Sequence, residues 1–128
     1  MNKLNIEATR SSPSVKFEDN VLVIKGQSYP ENAVIFYAPV FAWLDNYLQE
    51  LEGKGVFKFY LVYMNTSSAK CIMDIIDKLQ EAYNKGKNIC IKWYYDPDNE
   101  SLLECAEEFK EDVELPFDII PVEGLEQL

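Results

Sequence analysis

The chain contains no histidine. That removes Ser–His and Cys–His nucleophilic sites, imidazole proton transfer and the commonest zinc ligand. Cysteine is sparse as well: the three residues, Cys71, Cys90 and Cys105, are odd in number, far apart and in no C-x-x-C pair. With no imidazole to activate a thiolate or complete a metal site, they read as buried free thiols acting as small hydrophobes. The five glycines are scattered, so no P-loop or dinucleotide fingerprint runs through them. No apolar run approaches the ~20 residues that cross a bilayer, and the first residues carry no signal-peptide hydrophobic region. The expected location is the cytoplasm. Neither enzymatic activity nor a cofactor or metal is expected.

Acid is what the chain has in excess. Its 22 Asp and Glu against 12 Lys and Arg give a net charge of −10. Such a surface repels nucleic acid and anionic membranes, so neither is expected as a partner. The densest acidic group, Glu104, Glu107, Glu108, Glu111, Asp112 and Glu114, reads as a solvated helix face, with attraction of basic partners as the functional alternative. Asp96, Asp98 and Glu100 lack the central Gly and distal Glu of a calcium loop and read as a turn with a helix cap. Trp93-Tyr94-Tyr95 suggests base stacking by type, but the charge argues against it and packing is the simpler role.

A length of 128 residues with 48% hydrophobic content fits one domain with one core. Residues 1–14 read as a loose leader broken by Ser11-Ser12-Pro13-Ser14, and residues 15–128 as the single domain. Val15–Phe17 and Val21–Ile24 read as strands joined by a hairpin turn at Glu18-Asp19-Asn20, the unit ending at Gly26 and Pro30. A long helix follows from about Asn32 to Leu51, with Val34, Ile35, Ala38, Phe41, Ala42, Leu44 and Leu48 as its apolar positions; Pro39 should kink it or mark a late start, and Gly53 and Gly55 close it. Four aromatics, Tyr37, Phe41, Trp43 and Tyr47, lie on it, with core packing as the default role. Val56–Tyr63 is the clearest strand. A second helix is expected from about Ser68 to Tyr83, with Ile72, Ile75, Ile76, Leu79 and Ala82 on one face. Ile89–Tyr94 is a strand, Glu100–Val113 a helix with Leu102, Leu103, Ala106, Phe109 and Val113 as its stripe, and Phe117–Val122 a last strand. The order β-β-α-β-α-β-α-β gives the α/β class: a single mixed, mostly parallel sheet packed by helices.

In such sheets the loops after the strands' carboxyl ends form the functional edge. At one of these ends Tyr60-Leu61-Val62-Tyr63-Met64 runs into Asn65-Thr66-Ser67-Ser68-Ala69-Lys70, hydroxyls directly before a helix. Unpaired N–H groups and the positive end of the helix dipole favour a phosphate there, as a ligand or on a phosphorylated side chain. The plain alternative is that one of these residues only caps the helix.

Taken with the element order, these residues resemble STAS domains of the anti-sigma-factor-antagonist type. More specifically, Gly26-Gln27-Ser28-Tyr29-Pro30-Glu31-Asn32-Ala33, Tyr63-Met64-Asn65-Thr66-Ser67-Ser68-Ala69-Lys70 with Asp74 following, and Trp93-Tyr94-Tyr95-Asp96 resemble the SiaC family of bacterial regulatory phosphoproteins, a divergent STAS-like group. Glu108-Phe109-Lys110-Glu111-Asp112 and Leu115-Pro116-Phe117 also fit, and the resemblance covers nearly the whole chain from Val15 on. It implies a partner switch. A dedicated protein kinase phosphorylates a threonine in the N-T-S-S segment, here Thr66, with Ser67 and Ser68 as alternates. A PP2C-type phosphatase reverses this, and the unphosphorylated form binds and activates a diguanylate cyclase, raising cyclic di-GMP and favouring biofilm formation. Asn65, Ser67, Ser68 and Lys70 are the expected surroundings of the phosphosite and part of the partner surface. From a different class, the remaining alternative is a small-molecule or nucleotide sensor holding a ligand phosphate at the helix start after Asn65.

Overall fold

The structure is a computed structural model that describes residues 3–125. Its element order is β1 (Leu4–Ile6), β2 (Ser14–Glu18), β3 (Val21–Ser28), α1 (Ala33–Glu50), β4 (Lys54–Met64), α2 (Thr66–Asn84), β5 (Asn88–Tyr95), α3 (Glu100–Glu111) and β6 (Phe117–Pro121). The strands form one six-stranded sheet in sequential order. β1–β2 and β2–β3 pair antiparallel, while β3 to β6 pair parallel. The β2–β3 turn uses Asp19 and Asn20, both at positive φ, a conformation that short polar side chains tolerate best.

Sequential order with right-handed crossovers puts all three helices on one face of the sheet. The strands answer with one alternating set, Val15, Leu22, Ile24, Phe57, Phe59, Leu61, Ile91 and Trp93, which joins the buried helix residues in one core. Trp93 stacks on Phe59 with ring centroids 4.9 Å apart and meets Phe109 of α3 at 5.5 Å.

The expected α/β sheet with helices is present, and four local features add to or change what was expected. The leader is not wholly loose. Leu4–Ile6 adds an antiparallel edge strand, and Ser12 and Pro13 are buried. Residues 1–2 of the leader and 126–128 of the domain lie outside the described residues. Helix α1 runs through Pro39. The Ile35 carbonyl that Pro39 cannot serve lies on a residue 70% exposed, where water can take it. The buried stripe of α1 is Ala33, Tyr37, Val40, Leu44, Tyr47 and Leu48, whereas Val34, Ile35, Ala38 and Ala42 face solvent. The helix is apolar nearly all round, so periodicity alone favoured no face. Gly55 belongs to β4 rather than to a helix end, and a Cβ there would meet the Tyr47 hydroxyl at 2.9 Å.

Candidate functional site

β3 and β4 both end at the same edge of the sheet, and α1 and α2 start there. The backbone ties the two ends together: Asn65 N–H donates to the Ser28 carbonyl at 3.0 Å. Asn65, extended at φ −81 and ψ 175, is the N-cap of α2; its side-chain oxygen accepts from Ser68 N–H at 2.9 Å, and its carbonyl accepts from Ala69 N–H. The cap is therefore the asparagine, and the hydroxyl residues are left for other roles. Thr66 is the first helical residue, two positions earlier than the periodicity indicated, because the apolar face begins only at Cys71 and Ile72.

The three hydroxyls then separate by helix geometry. Thr66 and Ser67 are exposed, and Lys70 is exposed one turn on from Thr66. Ser68 is completely buried. This corrects its expected place on the partner surface and as an alternate phosphosite: no kinase reaches that oxygen without opening the helix start. Its hydroxyl accepts from Ser28 Oγ at 2.8 Å, and Ser28 Oγ lies 2.7 Å from the Tyr37 hydroxyl. Ser28 has one proton and gives it to Ser68, so Tyr37 donates to Ser28. Burial pushes the Tyr37 phenol up to about 12; its hydrogen bond with Ser28 offsets part of this, and the nearby Cys71 adds slightly. This buried relay, Tyr37 to Ser28 to Ser68, pins α1, β3 and α2 together beneath Thr66.

Sequence reasoning missed Ser28 and Tyr37 as partners of the site. It also missed the exposed apolar residues around it. Val34 and Ile35 are 71% and 70% exposed at the start of α1, Tyr63 is 50% exposed before the Asn65 cap, and Met73 is 43% exposed on α2. Thr66, Lys70 and Met73 follow i, i+4, i+7 spacing and share one outward stripe. The Tyr63 ring meets Tyr29 edge-on at 5.8 Å.

Beside the stripe, a shallow groove of about 290 Å³ runs between Val62–Thr66, Ala69 and the start of α3 at Asn99, Ser101, Leu102 and Cys105. Burial pushes the Cys71 and Cys105 thiols up, reinforced by Asp74 beside Cys71 and by Glu108 and Glu104 beside Cys105. Both thiols are protonated at neutral pH and are poor nucleophiles. Among the described residues, no cluster of three or more acidic or cysteine side chains could hold a metal.

The family model for SiaC family regulatory phosphoproteins matches residues 6–122. The chain belongs to the SiaC family. A curated protein of Pseudomonas aeruginosa strain UCBPP-PA14 is 38% identical over 121 residues, covering 93% of this chain and 96% of that relative. The crystal structure of apo-SiaC from Pseudomonas aeruginosa superposes with a TM-score of 0.87 at 36% identity, covering 94% of this chain and 99% of that one. The matching chain in the crystal structure of diguanylate cyclase SiaD in complex with its activator SiaC, from the same organism, gives 0.88 at 37% identity, covering 93% and 99%. SiaC-family membership thus agrees with the resemblance carried by the S-Y-P-E-N and N-T-S-S segments. The six-stranded sheet with three helices is the SiaC fold.

Proposed function

We propose that this protein is a non-enzymatic partner switch set by reversible phosphorylation of Thr66. The unphosphorylated form binds and activates a diguanylate cyclase, as the neighbour SiaC is the activator of SiaD, and so promotes cyclic di-GMP signalling and biofilm formation. A cognate protein kinase adds the phosphate and a PP2C-type phosphatase removes it. Both act in the cytoplasm; among the described residues no helix is long and apolar enough to cross a membrane.

The observation that carries this reading is the contrast at the start of α2. Thr66 is exposed and takes no part in the cap, while Ser68 is buried in the relay below it. A kinase can modify Thr66 without unfolding anything. The phosphate brings roughly −1.5 to −2 charge and three acceptors into a stripe flanked by Val34, Ile35, Tyr63 and Met73. An interface built on those apolar residues would have to bury that dianion, at a cost of several kcal/mol unless it is paired. In the free protein the dianion is tolerated: the helix dipole favours it, and Lys70 stands one turn away. Modification thereby weakens partner binding while leaving the fold intact.

The sensor reading has less support. Asn65 already takes the Ser68 N–H, one of the three from Thr66 to Ser68 that a bound phosphate would use, and the adjoining groove is at the small end for ligand sites. Fragment-ion mapping after incubation with the cognate kinase tests the assignment. Phosphate is expected on Thr66, with Ser67 as a minor site and none on Ser68. Phosphate confined to Ser11 or Ser12, or found on Ser68, would refute it.

A further inference from the structure

The face of the sheet opposite the helices is covered by no described element. Parallel strands such as β3 to β6 are ordinarily buried on both faces, so an uncovered face on them is unusual. Its composition also departs from the rest of the molecule. One row across all six strands reads Asn5, Lys16, Val23, Lys58, Lys92, Asp118 in consecutive register. The next reads Ser14, Lys25, Tyr60, and then Tyr94 opposite Ile120, with the Tyr60 and Tyr94 rings stacked at 4.2 Å and nearly parallel at 2°. Val56 lies beside Cys90, which is only 6% exposed. Lys16, Lys25, Lys54, Lys58 and Lys92 thus stand on this face against Glu18 and Asp118, in a chain whose net charge is −10. Lys92 and Asp118 form an ion pair on this face at 3.5 Å.

We infer that this open face is a second docking surface, and that it takes an acidic amphipathic helix of a partner protein. Valine, tyrosine and isoleucine between lysines call for an apolar stripe flanked by carboxylates. The spacing sets the pattern. Strands lie about 4.8 Å apart, so Lys58 is about 10 Å and Lys92 about 14 Å from Lys16 along the row. A helix lying across the strands rises about 10.5 Å in seven residues and about 15 Å in ten, so acids at i, i+7 and i+10 meet the three lysines from one side of the helix. A second copy of this chain fits poorly. Sheet against sheet sets lysines against lysines, and α3 spends its apolar stripe, Leu102, Ala106 and Phe109, on its own core. Nucleic acid meets the chain's overall negative charge. The surface lies on the opposite side of the sheet from α2, so it works independently of the Thr66 phosphate.

The test is a fluorescence-anisotropy titration of the full chain with a labelled synthetic helix that carries Glu at i, i+7 and i+10 beside a Leu stripe. Its twin has Lys in place of Glu. The acidic helix should bind, and the twin should not. Affinity should drop about tenfold or more when salt rises from about 50 to about 300 mM, and again in Lys16→Glu/Lys58→Glu. The milder Lys16→Gln/Lys58→Gln pair guards against a folding defect and should give an intermediate loss, while Thr66→Ala should bind like the parent. No binding of the acidic helix, equal binding of both helices, or undiminished binding by the charge-reversed chain would overturn the inference. So would salt-sensitive self-association through these lysines, which would make a second copy the occupant.

Discussion

Replacing Tyr37 by phenylalanine should make the protein less stable at neutral pH and more stable in strong alkali. The ring is fully buried, and its hydroxyl donates to Ser28 at 2.7 Å. Phenylalanine keeps the packing and removes one hydrogen bond, while Ser28 still donates to Ser68. The cost at pH 7 is therefore about 0.5–1.5 kcal/mol. The alkaline effect has the opposite sign. Burial raises the Tyr37 phenol from its ordinary value of 10.0 to about 12 in the folded state. Below the unfolded value both states hold the proton and nothing is lost. As pH rises from about 10 to about 12, the unfolded chain ionises while the folded one cannot, and stability falls by about 2–3 kcal/mol before levelling off. Tyr37→Phe has no such loss. Burial also raises Tyr47 and Tyr60, but these titrate in both proteins and cancel in the difference. The two stability curves should cross between about pH 10 and 11. Urea denaturation of both proteins at several pH values from neutral to strongly alkaline reads this directly. Curves that stay parallel throughout would refute a buried, neutral, donating Tyr37, and with it the relay beneath the phosphosite.

Other outcomes follow from the same geometry. Thr66→Ala should change stability by no more than about 0.5 kcal/mol, since the residue is exposed and uncommitted, whereas Asn65→Ala should cost about 0.5–2 kcal/mol by removing the cap; chemical denaturation ranks them, and the reverse order would make the threonine the structural residue. Ile76→Ala, at a site 2% exposed, should cost about 2–5 kcal/mol in the same assay. Ser28→Ala should be worse than Ser68→Ala, because it removes the middle of the relay and leaves the Tyr37 hydroxyl a buried donor without an acceptor; equal losses would mean the relay is not read correctly.

Much of the architecture was legible because local signals agreed. The stripe Ile72, Ile75, Ile76, Leu79, Ala82 has one apolar face and is buried as expected. Val56–Tyr63 alternates its burial along an aromatic strand. Where signals were degenerate, the reading failed. Helix α1 offers two apolar stripes, and only the tertiary packing of Tyr37, Leu44 and Tyr47 on Leu22, Ile24 and Phe57 selects one. Leu4–Ile6 has too few residues to register as a strand until β2 pairs with it. At the site, N-T-S-S marks a helix start, but a difference of one or two residues decides which hydroxyl faces solvent. That depended on Asn65 taking the cap, and on Ser28 waiting beneath Ser68 from forty residues earlier in the chain. No local pattern carries that contact.

The most direct measurement of the central claim is titration calorimetry of the partner diguanylate cyclase against the unmodified and the Thr66-phosphorylated protein, with Thr66→Ala alongside. The unmodified and alanine forms should bind alike, because an interface loses little with one exposed hydroxyl. The phosphorylated form should bind more than about 100-fold more weakly, the cost of burying an unpaired dianion among apolar residues. Equal affinities for the unmodified and phosphorylated forms would contradict the account.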